Sequence, residues 1–159
     1  MSLAAPMGIV LATVVVMEVF VTWVHRYVMH GPGWSLHRSH HAQNRAGFEL
    51  NDIYSFGFSL MGFALFVGSV LTGGGILVWI ALGYTLYGLL YFVVHDGLVH
   101  HRLPLSWRPK SGYLHRLLVA HHLHHRFAER LPAVSYGFLY APPLERLRSV
   151  IESRKRGRT

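Results

Sequence analysis

Two stretches of this chain, Ile53 to Leu71 and Ile76 to Val94, contain no charged residue, and only Thr72-Gly73-Gly74-Gly75 joins them. Each approaches the roughly 20 residues that carry a helix across a bilayer. In hydrocarbon every backbone N–H and C=O must be paired within its own segment, so such runs fold as helices. The glycines between them read as a tight hairpin. A third stretch, Met7 to Val24, holds one charge, Glu18. It has no basic leading region and no cleavage site, and it runs straight into a histidine motif, so it reads as a span and not as a secretory signal. The expected fold is all-α: a multi-pass membrane helical bundle, with spans at about 7–24, 53–71 and 76–94 in a single domain over 1–151.

The charges set the orientation. All fifteen Lys and Arg lie at position 26 or beyond, after the first span (Arg26, Arg38, Arg45) and after the third (Arg102 onward). Positive-inside bias then places the N-terminus and the Gly hairpin outside and both basic regions in the cytoplasm of a cell whose inner membrane holds the chain. The net charge of +8 is explained by that topology and by a lipid-facing or partner-facing surface, and nucleic acid is not needed to account for it. Further on, Tyr113 to His125 reads as a helix and Ala133 to Pro143 as an apolar segment too short to span. Pro142 to Ile151 reads as a short amphipathic helix, with Leu144, Leu147, Val150 and Ile151 on one side. Residues 152–159 are expected to be a disordered basic tail.

Thirteen histidines are far more than a chain of 159 residues ordinarily carries. Ten of them form a pattern that occurs twice. His25-x4-His30 is followed by His37-x2-His40-His41, and His95-x4-His100 is followed by His121-x2-His124-His125. The topology brings both halves to the same membrane boundary, which is what a two-metal site requires. Residues i, i+3 and i+4 share one helix face, so each H-x-x-H-H is expected to aim three imidazoles at a common centre. The H-x4-H pairs fit an α-helix less well. They imply helix ends, π-bulges, or two histidines that serve different metals. His115 and His122 point away from the stripe of Leu114, Leu117, Leu118, His121 and His125, and His101 adjoins His100, so these three are expected to be bystanders.

Composition narrows the metal chemistry. With no cysteine, Fe–S clusters and thiolate zinc sites are excluded, and seven carboxylates with no Glu-x-x-His pair exclude the Glu-rich di-iron bundles. Imidazole suits Fe, Zn, Cu and Ni alike, so ligand type does not name the metal. Iron is favoured on functional grounds: nitrogen ligands where bilayer meets cytosol suit O2 activation against an apolar substrate, which zinc cannot perform. Zinc competes well for imidazole sites and can replace iron in purified protein.

The four histidine boxes resemble those of the fatty acid hydroxylase superfamily of membrane di-iron enzymes. Four further stretches narrow the resemblance to the bacterial β-carotene hydroxylase family: His25-Arg-Tyr-Val-Met-His30-Gly31, Phe48-Glu-Leu-Asn-Asp-Ile-Tyr54, Tyr87 to His100, and Val134-Ser-Tyr-Gly-Phe-Leu-Tyr-Ala-Pro-Pro143. The likeness runs from Glu18 to about Leu147. It implies 3-hydroxylation of carotenoid β-ionone rings, β-carotene to β-cryptoxanthin to zeaxanthin, with O2, two Fe ions and electrons from a ferredoxin-type donor. It also implies that the ligands are His25, His30, His37, His40, His41, His95, His100, His121, His124 and His125, with none needed as an acid or base. The superfamily is usually drawn with four membrane helices; the candidates for a fourth here lie within 113–143.

Carboxylates and amides beside the ligands are expected to orient imidazole N–H groups. Asp96 adjoins His95, and Glu18 lies seven residues before His25 on the same helix face. An intramembrane Glu is costly and usually functional, although a structural hydrogen bond in the bundle explains it equally well. Asn51 and Asp52 either serve the site or cap the second span. Twenty-one aromatics (nine Phe, eight Tyr, four Trp) either shape a slot for a polyene or pack the helices. Two other functions fit parts of the pattern. One is a carotenoid ketolase or other lipid hydroxylase of the same superfamily, which histidine spacing does not separate. The other is a His-rich metal transporter or store, which should carry polar ligands through its spans; here the spans hold only Glu18.

Overall fold

The computed structural model describes residues 3–42, 47–126 and 135–156. Among these every regular element is helical. α1 (Ala4–Val24) continues into a π-helical turn, π1 (His25–Met29), and a short α2 (Trp34–His41) follows. α3 (Asp52–Leu71) and α4 (Gly75–Tyr91) form a hairpin, and α4 continues into π2 (Phe92–Val99). α5 (Gly112–Arg126) and α6 (Leu144–Arg156) are the last of the described elements.

Among the described residues three continuous helices are long and apolar enough to cross a membrane: Ala4–Met29, Asp52–Leu71 and Gly75–Val99. Their outward faces carry exposed apolar side chains, such as Val15 and Val19 on α1 and Phe56, Leu60 and Phe63 on α3. Such a surface is stable only against lipid or another apolar partner. α5 has 15 residues, about 22 Å at helical rise, too short for a bilayer core. The other stretch considered for a fourth membrane helix is irregular from Ser135 to Pro143, and its first two residues lie outside the described ones.

The α3–α4 turn works because Gly73, Gly74 and Gly75 all have positive φ (77°, 88° and 58°), which side chains disfavour. α4 then packs against both α1 and α3. At Gly83 the helices approach so closely that a Cβ would lie 2.6 Å from Thr13 Cβ and 2.7 Å from the Val10 carbonyl. Small residues at such crossings let membrane helices gain van der Waals contact where no hydrophobic driving force acts. Met17, Val21, Tyr84, Tyr87 and Phe138 make the core of this region.

This up-and-down arrangement brings the C-terminal end of α1, the N-terminal end of α3 and the C-terminal end of α4 to one side. α2 stacks on π1 there, and α5 packs on π2 and α6. Leu117 and Ala120 of α5 bury against Val94, Ala141 and Leu147, and Leu118 against Leu98 and Val99, and the same buried face carries His121, His124 and His125 one to two turns farther along the helix. α6 runs on to Arg156, so residues 152–156, expected in a disordered tail, are helical; residues 157–159 lie outside the described ones.

Candidate metal centre

Both H-x4-H pairs sit on π-helical turns. The His30 amide donates to the His25 carbonyl (3.0 Å) and the His100 amide to the His95 carbonyl (2.9 Å). An i→i+5 bond stacks the two residues on one face, a placement an α-helix does not give. The members of each pair therefore face the same centre and not different ones.

Ten buried or nearly buried imidazoles converge from π1, α2, π2 and α5. His25, His30, His37, His41 and His124 form one set, and His40, His95, His100 and His121 a second, each with ring nitrogens all within 4.8 Å of one another. His125 adjoins the second set, its Nε2 2.8 Å from that of His121. Its ring also stacks on His41 of the first set, at 4.4 Å between centroids.

The membership corrects one expectation. The H-x-x-H-H triplets do not each aim at one centre: His40 leaves its helix neighbours for the second set, and His124 leaves its own for the first. Positions 37 and 41 lie within about 40° of each other around α2, but 40 and 41 are about 100° apart. The middle histidine thus leans across to the other centre. The two halves of the pattern exchange one ligand each, so that neither centre is built from one half alone.

The geometry fits cations. Nitrogens about 2.1 Å from one ion and at right angles around it lie about 3 Å apart. The Nε2 separations are 3.1 Å for His25–His37, His30–His124 and His100–His121, and 3.2 Å for His37–His41 and His40–His95. Proton bookkeeping makes the point sharper. His25 Nδ1–H donates to the Tyr136 carbonyl (2.8 Å) and His37 Nδ1–H to Asn51 Oδ1 (2.7 Å). His40 Nδ1–H donates to Glu49 (3.2 Å) and His95 Nδ1–H to Asp96 (2.7 Å). A neutral imidazole has one N–H, so in His25–His37 and His40–His95 both facing Nε2 atoms present lone pairs. A cation between them removes that repulsion.

Burial keeps the rings neutral. It is the largest cause that holds His37 down to about 4, and His41 and His100 to about 3, with neighbouring imidazoles adding to it. His40, His121, His124 and His125 are lowered in the same direction for the same first cause. Neutral imidazole is the form that binds a metal.

Around this core the outer contacts differ in part from expectation. Asn51 and Asp96 hold His37 and His95, as above. Asn51 is also the residue preceding α3, but its side chain makes no capping bond, because its oxygen is taken by His37. Asp52 contacts no imidazole; it takes both Arg102 guanidinium nitrogens at 2.7 Å and the Glu49 amide at 3.0 Å. Glu18 contacts none either. Seven residues are two helical turns, about 10 Å along the axis, so a shared face does not bring its carboxylate to His25. It binds instead the amides of Phe138, Leu139 and Tyr140 and the Tyr87 hydroxyl. Glu49 and the Tyr136 carbonyl were not anticipated; both lie in irregular segments, where periodicity gives no signal. Of the bystanders, His101 is exposed at φ 58°, His122 is exposed, and His115 contacts the Pro109 carbonyl (3.1 Å).

A cavity of about 520 Å³ opens between α1, α3 and α4 and ends at Tyr91, Asp96 and Phe138. Its lining is mostly apolar and aromatic, with Met17, Val21, Phe58, Phe63 and Tyr84 along the walls. Tyr91 stacks on His95 at 4.5 Å, and the Phe138 ring lies 5.1 Å from both His25 and His95. One layer of aromatic rings therefore separates an apolar slot within the spans from both histidine sets.

Comparison with known proteins identifies relatives of this chain. The fatty acid hydroxylase family model matches residues 10–147. A β-carotene hydroxylase of Pantoea ananas is 48% identical over 147 residues, covering 92% of this chain and 83% of the relative. One from a Paracoccus species is 50% identical over 142 residues, 88% of this chain and 86% of the relative. The chloroplastic β-carotene 3-hydroxylase 2 of Arabidopsis thaliana is 35% identical over 129 residues, 79% of this chain and 42% of the relative. No solved structure matches.

Proposed function

The chain belongs to the fatty acid hydroxylase family, and from that premise we propose that it is a membrane hydroxylase acting on the 3-position of carotenoid β-ionone rings, converting β-carotene to β-cryptoxanthin and zeaxanthin. The observation that carries this reading is the pairing of two imidazole sets with a lipid-facing apolar slot that ends on them, in a chain about half identical to bacterial β-carotene hydroxylases.

His25, His30, His37, His41 and His124 would hold one ion, and His40, His95, His100, His121 and His125 the other. We assign both as iron, which when bound supplies the O2-activating redox chemistry that a C–H hydroxylation needs and zinc lacks. The protein's own part is to hold and to exclude. Asn51, Asp96, Glu49 and the Tyr136 carbonyl fix the ring orientation and tautomer of four imidazoles, so that each Nε2 lone pair faces inward. The slot admits a polyene from the bilayer and strips water from the ring to be oxidised. Tyr91 and Phe138 bring that ring to within one side chain of both centres. No side chain is required to move a proton from carbon.

Electrons and orientation complete the proposal. The histidine end faces the cytoplasm of the inner membrane, with the N-terminus outside, because Arg and Lys flank the spans only at that end. The same basic face suits a ferredoxin-type donor, which is acidic, by charge complementarity. Expression in a β-carotene-accumulating bacterium, followed by pigment chromatography, tests the reading: zeaxanthin and β-cryptoxanthin are expected. Unchanged β-carotene beside well-expressed, iron-loaded protein would overturn the substrate assignment.

A further inference from the structure

Glu18 is half-buried in the first span and reaches no histidine, yet it has four partners. Its Oε1 accepts the backbone N–H groups of Phe138 (3.0 Å), Leu139 (3.0 Å) and Tyr140 (2.9 Å), and its Oε2 accepts the Tyr87 hydroxyl (3.0 Å). Three successive amides curled around one oxygen form an anion-binding nest. Every partner donates, so the carboxylate serves as acceptor only. The loop is shaped to this contact: a Cβ at Gly137 would stand 2.8 Å from Glu18 Oε1 and 2.5 Å from the Tyr140 carbonyl. More than one hundred residues of chain separate the two sides, so this is a tertiary clamp and not a local turn.

The clamped segment is the one that meets the metal centre. Tyr136 gives its carbonyl to His25 Nδ1–H. Phe138 is stacked on His25 at 18° and 5.1 Å, lies 5.1 Å from His95 and 6.1 Å from His121, and forms the inner end of the slot. Free of the clamp, this irregular segment would keep only the bonds to its Tyr136 and Leu139 carbonyls, from His25 and the Tyr113 hydroxyl, and packing to fix its height above the imidazoles.

We propose that Glu18 is a positioning residue: by pinning the 138–140 backbone it sets how far Phe138 stands from the imidazoles, and so how deeply a substrate ring enters and which carbon is presented. This rests on the hydroxylase reading for its second half, but the clamp itself does not. Phe138 is the stop against which the ring comes to rest, and Gly137 is the residue that lets the nest close on the carboxylate.

Two readouts on the full chain in lipid nanodiscs separate these parts. Hydrogen exchange reports the clamp without any turnover: Glu18→Ala is expected to speed exchange of the Phe138, Leu139 and Tyr140 amides at least tenfold. Glu18→Gln, which keeps the size and an acceptor oxygen and serves if the Ala variant does not fold, should give an intermediate increase. Unchanged exchange in both overturns the proposal whatever the enzyme does. With β-carotene as substrate, Glu18→Ala and Phe138→Ala should both shift the ratio of hydroxylated ring positions and lower kcat/KM about 10- to 100-fold, with metal content held near that of the parent. Faster exchange with an unaltered product ratio and KM would overturn the positioning role. A parent protein that yields no hydroxylated carotenoid would instead sink the functional reading, leaving the exchange result standing.

Discussion

His25 and His37 face one another through Nε2 at 3.1 Å, and each has already committed its only proton elsewhere, to the Tyr136 carbonyl and to Asn51 Oδ1. Two lone pairs held this close in a buried site call for a cation between them. The same holds for His40 and His95, committed to Glu49 and Asp96. The exchange of His40 and His124 between the sets then makes each centre depend on both halves of the chain.

That exchange predicts which losses go together. Parent protein should bind near two metals per chain. His124→Ala should lose one of them, and adding His30→Ala should cost little more, because both serve one centre. Adding His121→Ala to His124→Ala should empty both centres. Metal analysis of the three variants checks this; one metal retained in the His121/His124 pair would mean that sequence neighbours share a centre after all.

Histidines outside the two sets should be dispensable for metal. His101→Ala, His115→Ala and His122→Ala are each expected to retain near two metals per chain, by the same measurement. A loss in His122→Ala comparable to that of His121→Ala would contradict the face assignment of α5.

The ring-orienting contacts should matter in proportion to their reach. Asn51→Ala and Asp96→Ala are expected to weaken metal binding on the order of 10- to 100-fold, read by competition with a chelator. Arg102 grips Asp52 and lies 3.9 Å from Asp96, so Asp52→Ala should act only through that network and cost less.

How much of this the sequence disclosed depends on periodicity. The charge-free runs required helices, and histidine spacing singled out ten rings and set three aside. The wheel also hinted at π-turns, since five residues overshoot an α-helical face. It misled where it was read too coarsely. Treating positions 37, 40 and 41 as one face hid the 100° between the last two, and a shared face for Glu18 and His25 ignored two turns of rise. Glu49 and Tyr136 act from irregular segments brought in by tertiary packing, and no spacing rule finds such contacts.

Acid should destabilise the metal-free chain. Burial holds His37 near 4 and His41 and His100 near 3 in the folded protein, against about 6.5 when unfolded. Below 6.5 the unfolded chain binds more protons, so the stability present in full above that pH is lost progressively as pH falls toward 4. The thermal midpoint of metal-free protein in detergent is expected to fall between pH 7 and 4.5; a flat profile over that range would contradict the buried, neutral rings.

The most direct measurement of the central claim supplies purified, iron-loaded protein in nanodiscs with β-carotene, a ferredoxin-type electron donor and isotopically labelled O2. One labelled oxygen atom in each new ring hydroxyl is the predicted result. Fully loaded protein that consumes reductant but forms no labelled hydroxycarotenoid would contradict it.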